Sequence, residues 1–238
     1  MNYMRGFQFI RDREKWLTNV LLGAVCLLIP VVGQIVFVGY LFDVIEALHK
    51  DPEHKNYPDF DFGRFSDYLG RGIWPWLAEF LFGLIIAIPL MIIFMVIMVG
   101  AMALSKGEPW GILIAYAFLF LVGVPLSIFL GVVVWGPEFQ AGMTRQFQLG
   151  PMIDFGKRFF RLMKKEMFVS ALVLVGATFV AMILVVVTCY VAAFFVGPVF
   201  MYAKHHWLFQ MYELYLQRGG TPITSSEPAP TAPTAEPG

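Results

Sequence analysis

The sequence predicts an all-α, polytopic transmembrane helical protein with interfacial amphipathic helices, and three observations carry that expectation. Of its 238 residues 58% are hydrophobic and only 14% charged, against roughly 45–50% and 25% in an ordinary soluble domain. The apolar residues come in uninterrupted runs longer than the roughly 20 residues a helix needs to cross a hydrocarbon layer about 30 Å thick. Those runs show no polar–apolar alternation, and backbone groups in lipid must be satisfied internally, so helices rather than a barrel are required. The zero formal net charge argues neither for nor against nucleic acid, and no nucleic-acid partner is assigned.

Residues 1–15 form an N-terminal interfacial segment, mixing Arg5, Arg11, Arg13 and Lys15 with Phe7, Phe9 and Ile10; the alternative is a disordered terminus. The membrane domain, 16–218, starts with an uncleaved span over about 17–40 that carries Pro30 and Gly33 and turns amphipathic at Asp43 and Glu46. After an irregular loop with Pro52 and Pro58, Asp61 is placed to cap a helix beginning near Phe62. On that helix Phe62, Phe65, Leu69 and Ile73 share one arc, with Arg64, Asp67 and Arg71 opposite, so it should lie on the bilayer. A second span, about 74–104, has Glu79 near its entry, where snorkelling or pairing suffices, and Pro89 in its middle. A tight turn from Ser105 to Pro109 leads to a third span, about 110–135, with Pro125 inside. The last apolar run is read as one tilted span over about 168–197, followed by an exit helix to Gln217; the alternative is a tight hairpin of two short spans. Residues 219–238, rich in Pro, Ala and Thr, cannot bury a core and should form a disordered tail.

Three apolar runs end in one pattern. Gly33-Gln34-Ile35-Val36-Phe37-Val38-Gly39 is echoed by Gly136-Pro137-Glu138-Phe139-Gln140-Ala141-Gly142 and by Gly197-Pro198-Val199-Phe200-Met201-Tyr202-Ala203. A glycine followed by Pro or Gln, with a small residue six positions on, suits a helix that breaks and restarts against a neighbour. Asp61-Phe62-Gly63 after the first copy returns as Asp154-Phe155-Gly156 after the second, which points to an internal repeat. Glycine and proline are also simply common in membrane helices.

The stretch 16–72, with Leu28-Ile29-Pro30-Val31-Val32-Gly33, Gly39-Tyr40, Tyr57-Pro58-Asp59-Phe60-Asp61-Phe62 and Arg71-Gly72, resembles the bacterial membrane proteins grouped as domain-of-unknown-function family 4013. The match is close over the first third and only a hydrophobic outline beyond it. The resemblance implies a multi-pass protein of the bacterial cytoplasmic (inner) membrane and supplies no activity.

No metalloprotease, nucleophile-elbow or phosphate-loop motif is present, and no plausible nucleophile–base pair, so an enzyme is not expected. No cofactor and no metal are assigned. His205 and His206 are adjacent and project about 100° apart on a helix, poor geometry for a shared metal. His54, Asp59 and Asp61 lack a calcium-type spacing, and Cys26 and Cys189 sit in apolar runs as small hydrophobes. Lys157, Arg158, Arg161, Lys164 and Lys165 fall within about 120° of arc opposite Phe155, Phe159, Leu162 and Met163. They read as a positive flank of the last span and as a platform for anionic membrane lipids. Lys and Arg divide about 7 to 10 between the two faces of a four-span protein, and about 12 to 5 if the last run is a hairpin. The leading reading is a non-enzymatic membrane component engaging lipid headgroups or a membrane-protein partner through its loops. The alternative is a small carrier or channel with its site at the Gly/Pro breaks, against which no span carries a deep ionisable residue.

Overall fold

Three helical hairpins stand side by side with their open ends together. The computed structural model describes residues 1–106 and 108–223, and every regular element within them is helical. In the first hairpin a short α1 (Arg5–Gln8) leads to α2 (Trp16–Leu28) and α3 (Val32–Lys50). The continuous helix expected over 17–40 is therefore two helices, and α2 reaches only about 20 Å. Pro30 holds Ile29 extended, as proline does to the residue before it. Val31 then takes φ 63° and ψ −67°, and the Val32 amide donates to the Pro30 carbonyl at 2.7 Å. That is a strained γ-turn on a β-branched residue. A Cβ on Gly33 would strike the Cys26 carbonyl, so the turn closes only with glycine there.

The second hairpin rises as α4 (Phe65–Leu104), one helix about 60 Å long. The Asp61 carboxylate accepts from the Gly63 amide at 2.8 Å and caps the single 3-10 turn before it. No separate helix lies on the bilayer after Phe62. Phe65 and Leu69 pack partly against the core as the arc requires, but Phe62 and Ile73 are exposed and Arg71 is packed inside with Tyr68 and Gly72, because α3 covers the side that carries Tyr68. The chain returns through α5 (Pro109–Phe118), α6 (Val124–Val133) and α7 (Trp135–Thr144). A π turn over Leu119–Gly123 joins α5 to α6 just before Pro125, which has no amide to donate and whose ring needs the wider turn.

The third hairpin is α8 (Leu149–Val187) and α9 (Ala193–Gln217). The single span expected over 168–197 is thus interrupted at Thr188, where α8 turns back into α9. Its turn has no Gly or Pro: Cys189 and Tyr190 take positive φ, and the Thr188 hydroxyl accepts from the Ala192 amide at 3.1 Å.

Four helical stretches are long and apolar enough to cross a membrane: Val32–Lys50, Phe62–Leu104, Pro109–Thr144 and Leu149–Val187. The first is mostly buried inside the protein, with Val36, Phe37, Tyr40, Leu41 and Phe42 fully enclosed. Around it the open ends of the hairpins form a packed, aromatic half containing Phe9, Tyr68, Phe139, Phe159, Tyr202 and Trp207. The other half is splayed and presents Ile85, Val96, Leu113, Leu121, Ile183 and Val187 outward, an apolar surface that only lipid or a partner can cover. The N-terminal segment docks on α9 through Asn2 with Gln210 and the Tyr3 carbonyl with the Trp207 indole. Past α9, the Thr221 and Ile223 amides donate to the Tyr215 and Tyr212 hydroxyls, so the expected disordered tail does not begin at 219; residues 224–238 lie outside the described residues. Every Lys and Arg except Lys106 consequently sits in the packed half.

Candidate functional site: a cavity where the three hairpins meet

At the junction of the packed and splayed halves lies an open cavity of about 710 Å³, within the roughly 300–1,000 Å³ typical of ligand sites. Leu27 and Val31 wall it from the first hairpin, Trp76, Phe80, Val132 and Trp135 from the second, and Leu174, Phe200 and Met201 from the third. Gln34, Glu79 and Lys204 are its polar groups.

Lys204 organises the floor. Its Nζ lies 2.7 Å from Glu79 Oε1 and 2.8 Å from Glu138 Oε2. Glu138 is fully buried, whereas the Glu79 side chain is 46% exposed, so the buried carboxylate depends on the lysine and the other also faces the cavity. Behind them His205 Nδ1 sits 2.7 Å from the Met201 carbonyl. A carbonyl only accepts, so Nδ1 carries a hydrogen, and Nε2 faces Glu138 Oε1, 3.7 Å away. Neither atom has a hydrogen-bond partner among the described residues. Buried ionisable groups of this kind are costly and hold together only as a set. The sequence singles out Glu79 and His205 but not Glu138 or Lys204. Glu138 lay inside the second glycine string and Lys204 directly after the third, and a charge within an apolar run was the available signal.

The glycine strings all lie on returning arms, α3, α7 and α9; the first and third deliver Gln34, Phe200 and Met201 to the cavity, and Trp135 directly precedes the second. Only the first is a true break. Gly136 and Pro137 follow a one-residue interruption at Val134, and Gly197 and Pro198 lie within an unbroken α9. Gly39 and Gly142 are mid-helix, and each serves a close approach: Gly39 to the α4 backbone at Tyr68 and Gly72, Gly142 to the Phe42 ring. A Cβ on Gly136 would stand 2.9 Å from the Gly156 Cα, and Gly197 touches Leu27. The Asp-Phe-Gly echoes are not equivalent. Asp61, Phe62 and Gly63 form an exposed turn, whereas Asp154, Phe155 and Gly156 are inside α8, with Phe155 buried against Phe159 and Tyr215.

The string Tyr57-Pro58-Asp59-Phe60 is tied to the first hairpin. The Tyr40 hydroxyl donates to the Pro58 carbonyl at 3.1 Å. Asn19 donates to Asp59 Oδ1 at 3.0 Å and accepts from the Phe60 amide at 3.1 Å. The Asn19 hydrogen bond, with Arg13 beside it, holds the Asp59 carboxyl below the usual carboxylate range. The model of the family described as Protein of unknown function (DUF4013) matches residues 22–201, taking in Tyr40, the Pro58 loop and the cavity walls. The chain belongs to that family. No curated protein and no solved structure matches it.

Of the described cavity-lining residues, Lys204 alone falls beyond the region matched by the DUF4013 model. Nearer the open end, Arg71, expected on a polar face, is buried and bridges Asp43 to Glu46, the latter at 2.7 Å. Arg64 joins Asp43 at 2.5 Å and Arg145 joins Glu46 at 3.4 Å, clamping α3, α4 and the end of α7. Lys157, Arg158, Arg161, Lys164 and Lys165 are all exposed on α8, and none makes an ion pair with another described residue. The opposite face, Phe155, Phe159 and Met163, is covered by α7 and α9, and the same helix runs on into its exposed apolar half at Phe168. Among the described residues no cluster of three or more His, Cys, Asp or Glu could hold a metal.

Proposed function

We propose that this DUF4013 protein is a multi-pass component of a bacterial cytoplasmic membrane, without catalytic chemistry of its own, that engages anionic lipid headgroups through the basic face of α8. The observation that carries the reading is the unpaired exposure of Lys157, Arg158, Arg161, Lys164 and Lys165 within about three turns of the apolar half of the same helix. Each such charge is worth about 1 kcal/mol beside an anionic leaflet. Because every Lys and Arg except Lys106 lies toward one end, the positive-inside rule favours that end in the cytoplasm. The test is the lipid that copurifies with the full chain. Replacing the five residues by Gln should lower the anionic fraction of bound lipid, and an unchanged lipid profile refutes the reading.

A second reading, a small carrier or channel with its site at the glycine strings, is favoured by the cavity those strings surround. The absence of a deep ionisable group no longer counts against it, since Glu138 and Lys204 are buried at the floor. Reconstituted full chain should then bind a small molecule in a way that depends on cavity-wall residues.

A further inference from the structure

We infer that the cavity is a site for a lipophilic organic cation, held by the Glu79 carboxylate against aromatic walls; this deepens the carrier reading and rests on it. Exposure decides the class. The Glu79 side chain is 46% exposed and the Lys204 side chain 13%, its ammonium shared between Glu79 and the buried Glu138. An anion entering the cavity meets a lysine already shared by two carboxylates. A cation meets the open side of Glu79, whose one described ion-pair partner is Lys204.

The walls point the same way. Trp76 and Phe80, one turn apart on α4 beside Glu79, stack with ring centroids 5.3 Å apart and planes within 5°. Trp135 and Phe200 line the cavity with them. Aromatic faces attract cations through their quadrupoles, most strongly where water is scarce, and they also take up apolar substituents that a hydrated inorganic ion lacks. The strained turn at Val31 and the ring of Phe80 are both exposed at the edge of the cavity, so an amphiphile reaches it from the lipid-facing surface without crossing the packed half.

The test uses the full chain in zwitterionic nanodiscs with two probes of the same shape and opposite charge, tetraphenylphosphonium and tetraphenylborate, measured against empty nanodiscs. Glu79→Gln removes the carboxylate while Lys204 retains Glu138, and Trp76→Leu removes one wall. The expected result is saturable tetraphenylphosphonium binding, weakened at least tenfold by Glu79→Gln and also weakened by Trp76→Leu, with no saturable tetraphenylborate binding. Tetraphenylborate binding that Trp76→Leu abolishes, or phosphonium binding that Glu79→Gln leaves unchanged, overturns the cation assignment while the cavity stands as a site. If neither probe binds saturably above the empty disc, the carrier reading falls with it.

Discussion

Gly39 on α3 and Gly72 on α4 meet backbone to backbone. A Cβ on Gly39 would enter the Tyr68 carbonyl, and one on Gly72 would enter the Ile35 carbonyl. Since carbonyls of two packed helices cannot step aside, Gly39→Leu and Gly72→Leu are expected to destabilise the detergent-solubilised protein by about 1–3 kcal/mol or more. Gly142→Leu meets the Phe42 ring and belongs with them, whereas Gly100 faces open space and Gly100→Leu should leave the melting temperature nearly unchanged. Equal melting temperatures for all four variants would contradict the packing.

Arg71 holds two acids of α3 at once. Its side chain is only 5% exposed, so Arg71→Met removes the buried cation between Asp43 and Glu46, leaves them to the more exposed Arg64, Lys50 and Arg145, and should cost about 3 kcal/mol in SDS-driven unfolding. Arg64 shares Asp43 from a side chain that is 43% exposed, and Arg64→Met should cost under about 1 kcal/mol. A reversal of that order would mean the clamp is not built around Arg71.

With Cys26 and Cys189 replaced, single cysteines at Asn2, Lys55, Lys164 and Thr221 should label from one side of intact membranes, and one at Lys106 from the other. The hairpins require it, because α2–α3 and α8–α9 each return the chain to its starting end. Labelling of Asn2 and Lys55 from opposite sides would restore a single first span.

Asp59 gives the loop a sensitivity to acid. Its carboxyl titrates below the usual value because Asn19 donates to the ionised form, so the stabilisation is complete above the unfolded-state pKa of about 3.9 and is lost as pH falls through the folded value. Hydrogen exchange at the Phe60 amide, which bonds Asn19, should therefore accelerate on acidification once corrected for intrinsic exchange. Asn19→Leu should already show fast exchange at neutral pH, and identical protection in that variant would separate the loop from Asn19.

The class and the outward apolar surface were legible in the residues alone, because long unalternating apolar runs leave the backbone no option but helix, and composition alone reports that most of those runs meet no water. The sequence also marked the exposed basic face of α8, since helical period needs no partner to be read. It did not show that Trp16–Leu28 and Val32–Lys50 are two arms, or that Phe37, Tyr40 and Phe42 of the second arm are buried among four other helices. Nor did it show the turn at Thr188, which carries no Gly or Pro and is closed by a hydroxyl and two positive-φ residues. Which small residues are joints and which are contacts was likewise tertiary, as Gly39 matters through Gly72 on another helix. The same holds for the floor of the cavity. Glu79, Glu138 and Lys204 lie on three separate helices, and their charges became one site only when the hairpins brought them within 3 Å of a shared ammonium.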